Sequence, residues 1–149
     1  MASWRQQALI EAPVEEVWRL VADPTRYPEW GANVVAVTGE AEVKRDDTFR
    51  QRTKDFGMEQ ETTFQVEELE ELREIKLRCQ SSGYYSHWLL TEAQDNTFLD
   101  VEIGMEPIKL PYRVVDGTVG KRWYRSLVED SLDGIRRVTE RGRVQPRGR

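Results

Sequence analysis

Residues 12–30 read APVEEVWRLVADPTRYPEW, and the architecture of the chain follows from how this stretch folds. Val14, Val17, Trp18 and Val21 fall at i, i+3, i+4 and i+7, so a first helix carries one apolar face. Pro13 suits position N1, where its missing N–H costs nothing, and Glu15 and Glu16 lie in the first turn at the positive end of the helix dipole. Asp23-Pro24 ends that helix, because the residue before proline is pushed out of the α region. Asp23 is then placed to cap a second short helix running through Tyr27 to Trp30. The stretch reads as helix, break, helix.

Strands flank it on both sides. Ser3 to Ala12 alternates as a half-buried strand, with Ala8 and Ile10 on one face and Gln7 and Glu11 on the other. Asn33 to Val43 is a valine-rich second strand that relaxes near Gly39, and Thr48 to Asp55 a third, closed by a turn at Phe56-Gly57. The facing of the third strand stays open: either Phe49, Gln51 and Thr53 point inward, or Arg50, Arg52 and Lys54 do. From Met58 the alternation is cleaner, since Met58, Gln60, Thr62, Phe64 and Val66 share one face. The glutamate-rich segment Glu67 to Glu74 is read as a hairpin tip rather than a helix, because Ile75, Leu77 and Cys79 keep period two beyond it. Ser81-Ser82-Gly83 turns into a strand from Tyr84 to Ala93, and Gln94-Asp95-Asn96 turns into a last strand with Leu99, Val101, Ile103 and Met105 on its inner face.

Pro107 and Pro111 interrupt regular structure, and from about Tyr112 or Thr118 to Glu140 the pattern becomes helical. Its stripe is Val119, Trp123, Leu127, Ser131, Ile135 and Val138, diluted by Gly117, Gly120 and Gly134 and stopped by Gly142. One strand, two helices, six strands and a long helix make an α+β domain over residues 1–141. Residues 142–149 form a flexible, solvated basic tail; Arg141 to Arg149 holds four arginines.

Composition narrows the function classes. A chain of 149 residues supports one core. Its 22 Lys+Arg against 27 Asp+Glu, net −5, argue against nucleic acid as a partner. No apolar run approaches the ~18 residues of a transmembrane segment, and MASWRQQALIEAP lacks the basic start and apolar centre of a signal peptide, so a cytoplasmic location is expected. Cys79 and His87 are the single cysteine and single histidine; no internal disulfide, metal site or cofactor is expected.

The segment ending in Ile10-Glu11-Ala12-Pro13, then Val17-Trp18, Asp23-Pro24 and Tyr27-Pro28-Glu29-Trp30, resembles the opening of the SRPBCC superfamily, the START-related polyketide cyclase/dehydrase and lipid-transport proteins. Leu132, Ile135 and Glu140 are similar to the end of that family's last helix. The resemblance implies a helix-grip fold: a curved seven-stranded antiparallel sheet wrapped around a long C-terminal helix, with two short helices after strand 1. It implies binding of a hydrophobic polyketide-like or lipid-like molecule, free or carrier-bound, by a polyketide cyclase/aromatase or dehydrase, or alternatively by a non-catalytic carrier or sensor. Such enzymes assist aldol closure and loss of water from a poly-β-ketone chain. No catalytic residue of the family has a match in this sequence.

In such a fold a curved sheet and one helix meet at their edges more readily than along their middles, which leaves a space for ligand. The expected aromatic walls are Trp30, Trp88 and Trp123, with Phe64, Leu77 and Leu90 beside them and Val37, Val101, Ile103 and Leu127 completing the apolar surface. Gln60, Thr62 and Ser131 are candidates to orient a ligand hydroxyl or carbonyl. Arg52, if its face is inward, would hold a carboxylate, enolate or phosphate. His87 invites a general-base role, but if Trp88 and Leu90 face the cavity, strand parity turns His87 to solvent. Cys79 reads as a small buried apolar residue rather than a nucleophile.

Overall fold

A computed structural model describes residues 2–107 and 109–144; residues 145–149, the end of the expected basic tail, lie outside the described residues. Seven strands, β1 (Ser3–Ile10), β2 (Val34–Thr38), β3 (Thr48–Asp55), β4 (Met58–Glu70), β5 (Glu74–Cys79), β6 (Tyr84–Ala93) and β7 (Asn96–Met105), form one antiparallel sheet in the order β1-β7-β6-β5-β4-β3-β2. Helices α1 (Val14–Val21) and α2 (Tyr27–Trp30), joined by a 3-10 turn at Pro24–Arg26, link β1 to β2 at opposite edges of the sheet. The 35-residue helix α3 (Leu110–Val144) packs mainly against β1, β7 and α2. This is the helix-grip arrangement.

Local chemistry explains the helix pair, with one correction. Pro13 is the N-cap of α1, in extended conformation, rather than its first helical residue. Asp23 caps the 3-10 turn through the Thr25 backbone N–H at 2.9 Å. The pair is then pinned from within: the Tyr27 hydroxyl donates to the Val21 carbonyl at 2.7 Å, and the Trp30 indole N–H to the Leu20 carbonyl at 3.1 Å. Both bonds satisfy carbonyls that the end of α1 leaves without a helical partner.

The glutamate-rich segment is strand up to Glu70, with a tip formed by residues 71–73 and a register shift between Val66 and Glu68. The second strand is shorter than its valines suggest, ending at Thr38. Helix α3 departs furthest from expectation. It begins at Leu110, with Pro111 in its first turn where a missing N–H is tolerated, and it runs through Gly142 to Val144. Its N-terminal half also buries a different stripe: Asp116, Gly120 and Tyr124 face the protein, while Val119 is exposed. Burial of Asp116 is possible because the Tyr124 hydroxyl donates to it at 2.7 Å and the Ala2 backbone N–H at 3.1 Å, which ties the start of β1 to α3.

The core runs from Ile10, Val17 and Leu20 through Leu99 and Val101 to Val128, Leu132 and Ile135, all essentially without solvent contact. Among the described residues, no helix is long and apolar enough to cross a membrane.

Candidate ligand cavity

Because α3 lies mainly over β1 and β7, the inner faces of β3 and β4 are left without a helix close above them. A cavity of about 190 Å³ occupies that space. Its walls come from the two-residue β3–β4 hairpin, in which Asp55 pairs with Met58, Thr53 with Gln60, Gln51 with Thr62 and Phe49 with Phe64. All but Phe49 border the cavity, together with Asn33, Cys79, Ser82, Tyr84 and Met105 from the sheet side and Tyr112, Val115 and Trp123 from α3. The inner face of β3 is thus Phe49, Gln51, Thr53 and Asp55, and Arg50, Arg52 and Lys54 point out. Three successive inward polar residues suit a cavity wall better than a dry core.

The mouth lies between the hairpin tip and the first turns of α3, where Phe56 (66% exposed) and Met58 (72%) are both lining and open to solvent. Phe56 and Gly57 have φ of 54° and 77°, the paired left-handed conformations of a tight hairpin turn. That conformation is unusual for an aromatic residue. It carries the Phe56 ring across the mouth onto Trp123, 5.1 Å between centroids. Further aromatic contacts continue inward from Trp123 to Tyr84, Phe64, Phe49, Tyr27, Trp30 and Trp88, with centroids 5.2–6.2 Å apart.

Asp55 is the acidic group of the cavity. The Asn33 side-chain amide donates to its two oxygens at 3.0 and 3.2 Å. Burial raises its pKa above the ordinary carboxylate value and outweighs these bonds. The Tyr84 hydroxyl is pushed up as well, by burial first and by the nearby Asp55 charge second. Burial also pushes the Cys79 thiol up, but hydrogen bonding to Ser81, whose Oγ is 3.3 Å away, and to Ser82 brings it below its usual value.

Of the residues expected to line or orient a ligand, Gln60, Thr62, Phe64 and Trp123 border the main cavity. Trp30, Leu77, Trp88, Ile103 and Ser131 surround a smaller void of about 50 Å³ that shares Asn33, Gln51, Phe64 and Tyr84 with it. Ser131 there accepts from the Ala32 backbone N–H at 3.2 Å. Leu90, Val101 and Leu127 are core residues away from both spaces, and Val37 is half-buried on edge strand β2. Arg52 corrects an open alternative: it lies on the outer face, half-exposed, with Nε 3.4 Å from Glu59, because the pairing of β3 with β4 turns it away from the cavity. His87 is on the outer face too, with Nε2 2.6 Å from Glu74. Among the described residues no cluster of His, Cys, Asp or Glu is arranged to hold a metal.

Sequence reasoning missed Asn33, Asp55, Phe56, Ser82, Tyr84, Tyr112 and Val115 as lining residues. For Asp55 a signal was present. A two-residue turn at Phe56-Gly57 forces Asp55 opposite Met58, so the inward set of β4 dictates the inward set of β3.

The fold is START-like, with a cavity between the β3–β4 hairpin and α3. The family described as polyketide cyclase/dehydrase and lipid transport matches residues 1–140, and the chain belongs to it. Among solved structures, a START superfamily protein from Mycobacterium smegmatis is 16% identical with a TM-score of 0.74, covering 95% of this chain and 99% of its own. Protein NE0264 from Nitrosomonas europaea is 9% identical with a TM-score of 0.72, covering 96% and 97%. The di-domain ARO/CYC BexL of the BE-7585A biosynthetic pathway is 18% identical with a TM-score of 0.67, covering 91% of this chain and 45% of its own. At these identities the likeness is one of fold. No curated protein matches the sequence significantly.

Proposed function

We propose that this protein holds a hydrophobic polyketide-like or lipid-like small molecule, free or carrier-bound, in the cavity between β3–β4 and α3. The observation that carries the reading is the composition of that wall: aromatic rings and a few inward polar groups line about 190 Å³ that opens to solvent beside Phe56 and Met58. Membership of a polyketide cyclase/dehydrase and lipid-transport family supports it. The reading takes residues 1–141 as one domain acting in the cytoplasm without a nucleic-acid partner.

Native mass spectrometry of the purified protein tests it. A co-purified or added apolar molecule retained in the gas phase, and held more weakly in Phe64→Trp, which puts a larger ring into the cavity wall, is the expected result. Binding that Phe64→Trp leaves untouched would place the ligand elsewhere.

A second reading, catalysed ring closure or dehydration of such a ligand, is favoured by one feature. Asp55 is a half-buried carboxyl bordering the cavity, where it can exchange a proton with an enolising carbonyl. Turnover of a poly-β-ketone by the wild-type protein, lost in Asp55→Asn with binding retained, is the expected outcome for that reading. Binding without turnover assigns the protein to carriage.

A further inference from the structure

Sixteen residues border the main cavity, and Asp55 is the one among them whose side chain is charged when ordinarily ionised at neutral pH. Its hydrogen-bond partner, Asn33, is neutral. Among the described residues no lysine, arginine or histidine reaches it, and the arginines of its own strand point the other way, Arg50 to Glu61 and Arg52 to Glu59. A carboxylate has room for about four hydrogen bonds, so acceptor capacity remains on the cavity side. Around the same space stand the rings of Phe56, Phe64, Tyr84, Tyr112 and Trp123.

A negative group among aromatic faces in a partly desolvated space has a definite preference. The faces attract a cation through their quadrupoles, and the carboxylate attracts it more strongly than in water. A ligand carboxylate meets the reverse, a like charge at short range with no cation to offset it. A neutral hydroxyl gains a hydrogen bond and nothing more.

We propose that Asp55 and the surrounding rings make this cavity a receptor for an apolar molecule that carries a positively charged nitrogen, and that it rejects carboxylates built on the same frame. The proposal rests on the cavity reading above and specifies its ligand class: within lipid-like or polyketide-like molecules, those bearing an amine. The ammonium is placed near the mouth, beside Asp55 and Trp123, and the apolar frame runs inward toward Phe64.

Four probes on one frame test it: 2-naphthylmethylamine, 2-naphthylmethanol, 2-naphthoate and the N,N,N-trimethyl derivative of the amine. Affinities are read by isothermal titration calorimetry at neutral pH. The amine is expected to bind about 10-fold or more tightly than the alcohol, as a charged hydrogen bond allows, and the carboxylate weakest. In Asp55→Asn the advantage of the amine over the alcohol disappears. The trimethylammonium probe, whose charge does not titrate, provides a second measurement on the wild-type protein. Its affinity falls on acidification as Asp55 takes up a proton, and the alcohol's does not; the fall is absent in Asp55→Asn, which separates Asp55 from the other titratable groups bordering the cavity, Tyr84, Tyr112 and Cys79. An amine that binds no better than the alcohol, a carboxylate that binds as well as the amine, or pH-independent binding of the trimethylammonium probe overturns the proposal and leaves the cavity reading standing. Failure of all four probes to bind overturns both.

Discussion

Gly134 of α3 passes directly against the backbone of Trp30 at the end of α2. A Cβ there would lie 2.9 Å from the Trp30 carbonyl carbon and closer still to its oxygen. The close approach of the two helices therefore depends on the missing side chain. Gly117, on the same helix, has nothing within 4 Å of an added Cβ.

These two glycines predict opposite results from one substitution. Gly117→Ala should raise stability by about 0.5–1 kcal/mol, the helix-propensity difference at an open site. Gly134→Ala gains the same propensity but drives a methyl into backbone that cannot rotate away, and overpacking of about 1–3 kcal/mol outweighs it. Urea melts of both variants check the pair. Stabilisation by Gly134→Ala would contradict the observed α2–α3 contact.

Phe56 predicts a kinetic effect. Asparagine is better suited than phenylalanine to a left-handed turn position before glycine, so Phe56→Asn should leave the hairpin at least as stable. It also removes the ring that spans the mouth to Trp123. Release of a bound apolar probe should become several-fold faster in stopped-flow displacement, with melting temperature unchanged or higher. An unchanged release rate would show that Phe56 does not restrict the exit.

Arg52→Met should be silent for ligands of every charge. The Arg52–Glu59 pair is half-exposed, and such pairs contribute about 0–1 kcal/mol. Calorimetric titration of an acidic and a neutral apolar ligand into the variant should reproduce wild-type affinities; selective loss of the acidic one would require the side chain to reach the cavity.

Asp55 sets a pH dependence of stability. Its folded-state pKa is raised, so across the window from the ordinary aspartate value up to the raised one the folded state holds the proton more tightly than the unfolded chain. Wild-type stability is therefore reduced as pH rises through that window, by this group's contribution. Asp55→Asn abolishes the effect. The stability of Asp55→Asn relative to wild type should increase as pH rises through the window and level off above it, measured as paired melts across the acidic range. A flat difference would mean that burial does not perturb this carboxyl.

Much of the fold was legible because its signals are local. The spacing of Val14, Val17 and Val21, the Asp23-Pro24 break, the two-residue turn at Phe56-Gly57 and the period-two runs through Ile75, Leu77 and Cys79 act over a few residues and appear as helix, turn or strand. Local rules also misled where tertiary contacts take over. The expected stripe through Val119 assumed that apolar residues face inward, whereas Asp116 is buried because Tyr124 and the Ala2 backbone supply hydrogen bonds from elsewhere in the chain. Gly120 and Gly134 look like weak points in a helix until Ala2 and Trp30 are seen beside them.

From the sequence alone came the order of elements, the family resemblance, and most of the residues that face inward, because side-chain periodicity and turn geometry are properties of neighbouring residues. Tertiary structure decided where the sheet and α3 part, and hence that the main cavity is bordered by β3, β4 and Asp55 rather than by Leu90, Val101 and Leu127. An inward residue becomes core or cavity wall according to what lies opposite it. For β3 that depends on α3, which joins the sheet more than fifty residues later in the chain and packs mainly against β1 and β7.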